Sequence, residues 1–160
     1  MKVLVSGASG LVGRALGKSL EADGHQLLRL VRNPEQLSDA GTVLWSPGDG
    51  SVDVAALEEQ GRIDCVVHLA GEAIAAARWS AAQKARIRDS RVVGTGMLSE
   101  ALAGLREPPG VLVCASAIGW YGDRGPEWVD ESDEPGEMFL SALCRDWEAA
   151  LDPVRKHVGH

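Results

Sequence analysis

Short apolar runs alternate along the chain with stretches of helical periodicity. Five runs stand out, at Lys2–Ser6, Gln26–Val31 and residues 42–45, 63–69 and 110–116, each of ordinary strand length and each followed by Gly, Pro or polar residues. Continuous apolar runs, rather than strict alternation, point to strands buried on both faces and so to a parallel sheet with helices on either side. Helices are expected between them at Leu11–Ala22, near residues 54–60, and from about 80 to 105. In the long one, Ile87, Gly94, Leu98, Ala101 and Leu105 follow a period of about 3.6 residues and predict the buried stripe. Segment 117–135 is rich in Gly, Pro and acid and reads as a loop, of a length often found at functional sites. A last helix is expected over roughly 137–156. No repeat or interdomain linker breaks the pattern. The expectation is therefore one α/β domain over residues 1–160, a doubly wound parallel sheet of Rossmann type with strand order 3-2-1-4-5.

Composition narrows the class without changing the fold. A chain of 160 residues with 45% hydrophobic content can build an ordinary core. Its formal charge of -7 opposes non-specific attraction to nucleic acid or to an anionic membrane, so neither is expected as a partner. No run of about 18 apolar residues offers a membrane span, and Met1 and Lys2 lead straight into a strand rather than a cleavable signal. A cytoplasmic protein with small-molecule ligands is expected. Cys65, Cys114 and Cys144 are widely spaced and odd in number, which predicts free thiols, no disulfide framework and no metal site.

The sharpest signal is Gly7-Ala8-Ser9-Gly10-Leu11-Val12-Gly13, set directly after an apolar strand and opening a helix. The first glycine permits a tight turn, the second lets backbone amides approach a pyrophosphate, and the third lets helix and strand pack closely. The amides of this segment, with those of Ser9, Leu11 and Val12, stand at a helix N-terminus whose partial positive charge suits phosphate. A nicotinamide dinucleotide is the expected cofactor. Its adenosine ribose should lie near the end of the second strand, where an NAD-binding site usually supplies an acid. Arg32 stands there instead, and a guanidinium pairs well with a 2′-phosphate. NADP is expected over NAD, although Glu35 nearby leaves NAD open.

Further candidates lie at the carboxyl ends of the later strands, where open α/β sheets place their ligands. Leu69, Ala70 and Gly71 should pass close to the cofactor, since small residues permit the approach. Glu72 is open to two readings, a general base or sugar-hydroxyl acceptor and a loop or capping carboxylate. His68, inside an apolar run, reads as a core histidine with its hydrogen bonds met. Ser116 ends the fifth run on the same side of the sheet, either as a site residue or as a simple strand-end turn residue. Tyr121 follows it in a glycine-bounded loop, either as a proton donor or as a wall of the pocket. Lys84, Arg88 and Arg91 share one face of the long helix, which with Arg78 reads as a solvated face or inter-subunit surface, or as a receiver of an anionic substrate or pyrophosphate. Trp79 and Trp147 read as core or interface anchors.

These residues resemble the atypical members of the extended short-chain dehydrogenase/reductase superfamily, the sugar-nucleotide epimerase-like proteins of the NAD-dependent epimerase/dehydratase group. The glycine turn matches that group's Gly-x-x-Gly-x-x-Gly; the stretch from Asp64 through His68 to Glu72 matches its fourth strand and following turn. Arg78-Trp79, Lys84, Ile87 and the segment from Ser90 to Thr95 look like its long helix. The stretch from Ser116 to Gly122 looks like its fifth-strand Ser and Tyr-Gly turn, and the stretch from Phe139 to Glu148 looks like its next helix. The resemblance implies hydride transfer on a sugar-nucleotide-like or small carbonyl or alcohol substrate, with Ser116 and Tyr121 or Glu72 handling protons.

Two departures qualify this. The superfamily's Tyr-x-x-x-Lys pair is absent: Tyr121 is the one tyrosine and position 125 is Gly125. The alternative is thus a non-catalytic NADP-binding sensor or interaction protein. Members of the superfamily also continue into another strand and a C-terminal substrate-binding portion, so the chain is expected to be truncated, with an open edge at its fifth strand and a tendency to self-associate.

Overall fold

The computed structural model describes residues 1–38, 40–48 and 50–158. Six strands form one sheet: β1 (Lys2–Ser6), β2 (Gln26–Val31), β3 (Thr42–Ser46), β4 (Ser51–Val52), β5 (Cys65–His68) and β6 (Val111–Cys114). The helices are α1 (Leu11–Ala22), α2 (Val54–Glu59), α3 (Ala81–Ala103), α4 (Phe139–Ala149) and α5 (Asp152–Arg155), with short 3-10 turns at Pro34–Ser38 and Ile118–Tyr121. The strands lie in the order β4-β3-β2-β1-β5-β6.

This corrects the expected purely parallel sheet of order 3-2-1-4-5. β1 pairs in parallel with β2 and β5, β2 with β3, and β5 with β6, but β4 returns antiparallel to β3, with Trp45 opposite Val52 and Ser46 opposite Ser51. The sheet is therefore mixed, a Rossmann-like α/β arrangement with an antiparallel edge. β4 has two residues, too few to make an apolar run, so hydrophobic patterning had no means to register it.

Side-chain alternation divides the core in two. Val3, Val5 and Leu27 point toward Leu16 and Leu20 of α1. Leu4, Leu28, Leu30, Val43 and Val66 point the other way, onto Leu98 and Leu102 of α3, Leu57 of α2 and Val154 of α5. At the β6 edge the pattern thins, and Val111 and Val113 on that strand are exposed. The long helix begins where Ser80 Oγ accepts the Gln83 N–H at 3.2 Å, and α2 where Asp53 accepts the Ala56 N–H at 2.9 Å. The buried face of α3 includes Ile87, Gly94 and Leu98 as expected, but also Gln83, Thr95 and Ser99. The single C-terminal helix expected over 137–156 is two helices, because Pro153 sits in the first turn of α5 and cannot supply the N–H that would continue α4.

The polar residues on α3 take part in a chain of hydrogen bonds that crosses the core. Ser6, His68 and Thr95 are fully buried and Trp147 nearly so. Ser6 Oγ accepts the backbone N–H groups of Leu69 and Ala70 at 3.1 and 3.3 Å. Both lone pairs are then occupied, and the Ser6 proton goes to His68 Nδ1 at 2.6 Å. The ring proton of His68 is left on Nε2, which donates to Thr95 Oγ1 at 2.8 Å, and Trp147 Nε1 donates to the same oxygen at 2.9 Å. Donors and acceptors balance only while His68 is neutral. Burial pushes its pKa in the same direction, from the ordinary 6.5 down to about 4.

Two outcomes follow for stability. The unfolded chain takes up a proton at His68 before the folded one does, so stability is complete above about pH 6.5 and declines as pH falls toward 4, by up to about 3 kcal/mol. Urea unfolding at several pH values should show this decline, and His68→Asn should flatten it; equal slopes for the two proteins would refute the neutral histidine. Leu98→Ala, at a position 2% exposed between α3 and the sheet, should cost about 3 kcal/mol in the same assay at neutral pH.

Candidate functional site

The turn between β1 and α1 is built on contacts that exclude side chains. Gly7 has φ +71 and closes the turn by accepting the Gly10 N–H at 3.0 Å. A Cβ on Gly7 would stand 2.8 Å from the Leu69 carbonyl carbon, and one on Gly13 would stand 2.3 Å from the Gly7 oxygen. The two positions therefore admit glycine alone in this geometry. Gly10 caps α1 without any side-chain hydrogen bond, which leaves the first helical amides open to a ligand. Leu11 and Val12 are exposed beside it.

A cleft of about 920 Å³ starts at this turn. It runs between the ends of β1 and β2 and reaches β3 and α3, with Gly7, Ser9, Gly10, Arg32, Leu69, Ala70, Gly71 and Glu72 among its walls. Of the residues expected to hold a cofactor, Gly7, Ser9, Gly10, Arg32, Leu69, Ala70 and Gly71 share this surface, while Gly13 acts behind it through packing and Leu11 and Val12 stand outside it. Arg32 is exposed, and among the described residues no ion pair engages it. Trp45, 2% exposed on the same wall, has an indole N–H with no hydrogen-bond partner among the described residues. Sequence reading gave that residue no place in the site.

The turn after β5 is fastened from below. Ser90 Oγ accepts the Glu72 N–H at 2.9 Å, Arg91 donates to the Glu72 carbonyl at 3.0 Å, and the Arg91 guanidinium lies against the site of a Gly71 Cβ at 3.2 Å. The same guanidinium faces the Trp147 ring at 5.1 Å, and burial lowers its pKa from the ordinary arginine value. The Glu72 carboxylate accepts from Gln83 Nε2 at 3.4 Å. The basic face expected on α3 is thus divided. Arg91 turns inward, Arg88 reaches Asp146 at 3.4 Å, and Lys84 lies over the Phe139 ring at 5.2 Å. Trp79 also meets Phe139, edge to face at 5.8 Å, and Trp147 is a core residue.

Ser116 and Tyr121 line a second cavity of about 440 Å³, together with Ala117, Ile118, Trp120, Glu131 and Glu148. Glu72 belongs to the first cleft and these two to the second, so the three expected catalytic residues do not share a wall. Ser116 Oγ donates to Glu148 Oε1 at 2.5 Å. Desolvation raises the Tyr121 pKa above the ordinary phenol value, and Glu131, Asp130, Asp133 and Glu148 add to the rise, so this tyrosine stays protonated. The thiols nearby are held protonated as well: burial, with Glu148, pushes Cys114 up to about 12 and raises Cys144. Glu148 was not singled out as a site residue from the sequence, because 32 positions separate it from Ser116 and only the packing of α4 against α3 and the Ile118–Tyr121 turn brings them together.

Comparison with known proteins places this geometry in a group. Residues 3–141 match the model of the NAD dependent epimerase/dehydratase family. The chain is 42% identical over 156 residues to an epimerase family protein of Mycobacterium bovis, a match covering 96% of this chain and 49% of the relative. With the human epimerase family protein SDR39U1 the identity is 31%, over 94% of this chain and 48% of that protein. Among solved structures, a nucleoside-diphosphate sugar epimerase from Corynebacterium glutamicum superimposes with TM-score 0.79 and 35% identity, covering 99% of this chain and 32% of that one. The human SDR39U1 isoform 2 structure, solved with NADPH, gives TM-score 0.78 and 29% identity over 94% and 48% of the two chains. The chain spans about half the length of the curated relatives it matches.

Proposed function

We propose that this chain, which belongs to the NAD dependent epimerase/dehydratase family, binds NADP across its glycine turn and serves epimerase or oxidoreductase chemistry on a sugar-nucleotide-like or small carbonyl or alcohol substrate. The observation that carries this reading is the glycine turn, whose close contacts leave open amides at the head of α1 and a cleft leading from them to Arg32. Gly7, Ser9, Gly10, Leu11, Val12 and Gly13 would hold the diphosphate through main-chain groups and packing. Leu69, Ala70 and Gly71 would form the wall opposite, where bulk is excluded. When bound, the dinucleotide supplies a hydride acceptor or donor. Ser116, Tyr121 and Glu72 remain the proposed proton-handling groups, with Ser116 and Tyr121 at the substrate end.

Arg32 decides between the two dinucleotides in this reading. Its guanidinium lies on the cleft wall at the end of β2 and can form a bidentate pair with a 2′-phosphate. The human relative solved with NADPH supports the same preference. A second reading, a protein that binds NADP without turnover, draws on the missing Tyr-x-x-x-Lys pair and on a tyrosine whose ionisation is opposed by four carboxylates.

Titrating NADP and NAD separately against wild type and Arg32→Ala tests the cofactor assignment. Affinity for NADP should fall about ten-fold or more in the variant, as expected for loss of a charge-assisted pair, while affinity for NAD stays within about two-fold. Equal losses for both would remove Arg32 from the phosphate site. Turnover is checked by nicotinamide absorbance against alcohols, carbonyls and nucleotide sugars, and a null result across all three classes would favour the binding protein.

A further inference from the structure

The Ser116 cavity has a polarity that the resemblance to epimerases did not specify. Ser116 has one proton, and at 2.5 Å that proton is committed to Glu148 Oε1. What Ser116 presents to the cavity is therefore a pair of lone pairs, an acceptor for a hydroxyl rather than a donor to a carbonyl. Glu148 itself forms no ion pair among the described residues; Arg155 donates to its backbone carbonyl at 3.2 Å but pairs with Asp152 at 3.0 Å. Glu131 lines the same cavity, again without an ion pair among the described residues. Among the described residues no Lys or Arg lines it, and Arg124, three residues after Tyr121, is engaged with the carbonyls of Tyr121 and Glu134. The remaining walls are Ala117, Ile118, Trp120 and Tyr121, apolar or aromatic surfaces against which the C–H face of a sugar ring packs.

We infer that Glu148 is a positioning residue that turns Ser116 into a hydroxyl acceptor, and that this cavity is a subsite for a neutral or cationic polyhydroxylated group which excludes carboxylate- and phosphate-bearing ones. The inference rests on the reading of this cavity as the substrate end of the site, and it adds a charge rule to that reading. It also sets the direction of the hydrogen bonds: a hydroxyl of the bound group donates to Ser116 Oγ, and Ser116 donates to Glu148 Oε1. Tyr121, kept protonated by desolvation and by the surrounding acids, is then a donor to the bound group and not its base.

The test needs no turnover. The isotope-labelled chain is titrated near neutral pH with three probes of similar ring shape: deoxynojirimycin as a protonated iminosugar, methyl glucoside as a neutral sugar, and glucuronate as an anion. Resonances of the Ile118 methyl groups and the Trp120 indole report occupancy of the cavity. Affinity should fall in that order, with about five-fold or more between the first and the last. Glu148→Gln keeps the shape and an acceptor oxygen but loses the charge, and should compress the spread to about two-fold; Glu148→Asp should restore it. Glu127→Gln, an acid in the same loop that does not line the cavity, should leave the spread unchanged. Equal affinities, tighter glucuronate, no shift with any probe, or a spread that follows Glu127 rather than Glu148 would each overturn the inference. Should Glu148→Gln fail to fold, Ser116→Ala serves in its place: it should weaken all three probes and preserve their order, and unchanged binding would overturn the role given to Ser116. NADP shifts at residues 7–13 are recorded separately, so failure of the cofactor reading shows there and failure of this one at Ile118 and Trp120.

Discussion

The backbone at the end of β1 and the backbone just beyond β5 approach so closely that nothing larger than a glycine hydrogen fits between them, and the rest of the site depends on that approach. Gly7 meets Leu69 and Ala70 within 3 Å of where its Cβ would be, and the Ser6 hydroxyl receives both of their amides. Two strand ends that carry polar main-chain groups into a buried place must satisfy them locally. Here the Ser6 hydroxyl receives both amides and the Ser6 carbonyl shares that of Leu69 at 3.2 Å, so the hydroxyl's own proton must go elsewhere, to His68. The glycine turn, the small-residue wall opposite and the buried histidine are therefore one construction. Altering the histidine's charge disturbs the serine, and disturbing the serine loosens the wall of the cleft.

The same chain of hydrogen bonds explains why α3 and α4 sit where they do. Thr95 receives both the His68 ring and the Trp147 indole, so α4 is indexed against α3 and β5 by polar contacts inside the apolar core. Arg91 adds a second tie, from the Glu72 carbonyl to the face of Trp147. Helix α4 then carries Glu148 to the end of β6, where it meets Ser116. The position of that carboxylate is thus a consequence of packing at Trp147, one residue earlier in the helix.

What sequence could reveal followed from how local the cause was. The glycine turn was legible because strand, spacing and helix lie within a dozen residues and each glycine has its own steric reason. The five longer strands were legible as apolar runs. β4 was not, being a two-residue pairing that exists because Trp45 and Ser46 have partners there. The break before α5 could have been read from Pro153. The buried Gln83, Thr95 and Ser99 could not, since hydrophobic periodicity scores them as surface. Ser116 and Tyr121 were proposed from strand end and loop, but the hydrogen bond from Ser116 to Glu148 was not legible, because a pairing across 32 positions has no local signature. The shared basic face of α3 was a reasonable reading of spacing that burial dissolved, one cation turning under the Glu72 turn and another pairing with Asp146.

The two cavities also differ in charge in a way that bears on how one elongated ligand set would be arranged. The larger cleft has Arg29, Arg32 and Arg86 on its walls along with Glu72 and Asp89, and its glycine turn adds the positive end of α1. The smaller cavity has carboxylates and, among the described residues, no cation on its walls. Phosphate groups are favoured at the first and opposed at the second, so a molecule with an anionic end and a neutral, hydroxylated or aromatic end has one preferred direction across the carboxyl edge of the sheet. Orientation then needs no specific contact along the middle of the ligand. The difference in charge between the two sets of walls supplies it, as a gradient of potential from one to the other. A carboxylate introduced beside Arg32, or a lysine in place of Glu131, would flatten the gradient without touching either glycine or serine, and loss of direction would separate from loss of binding.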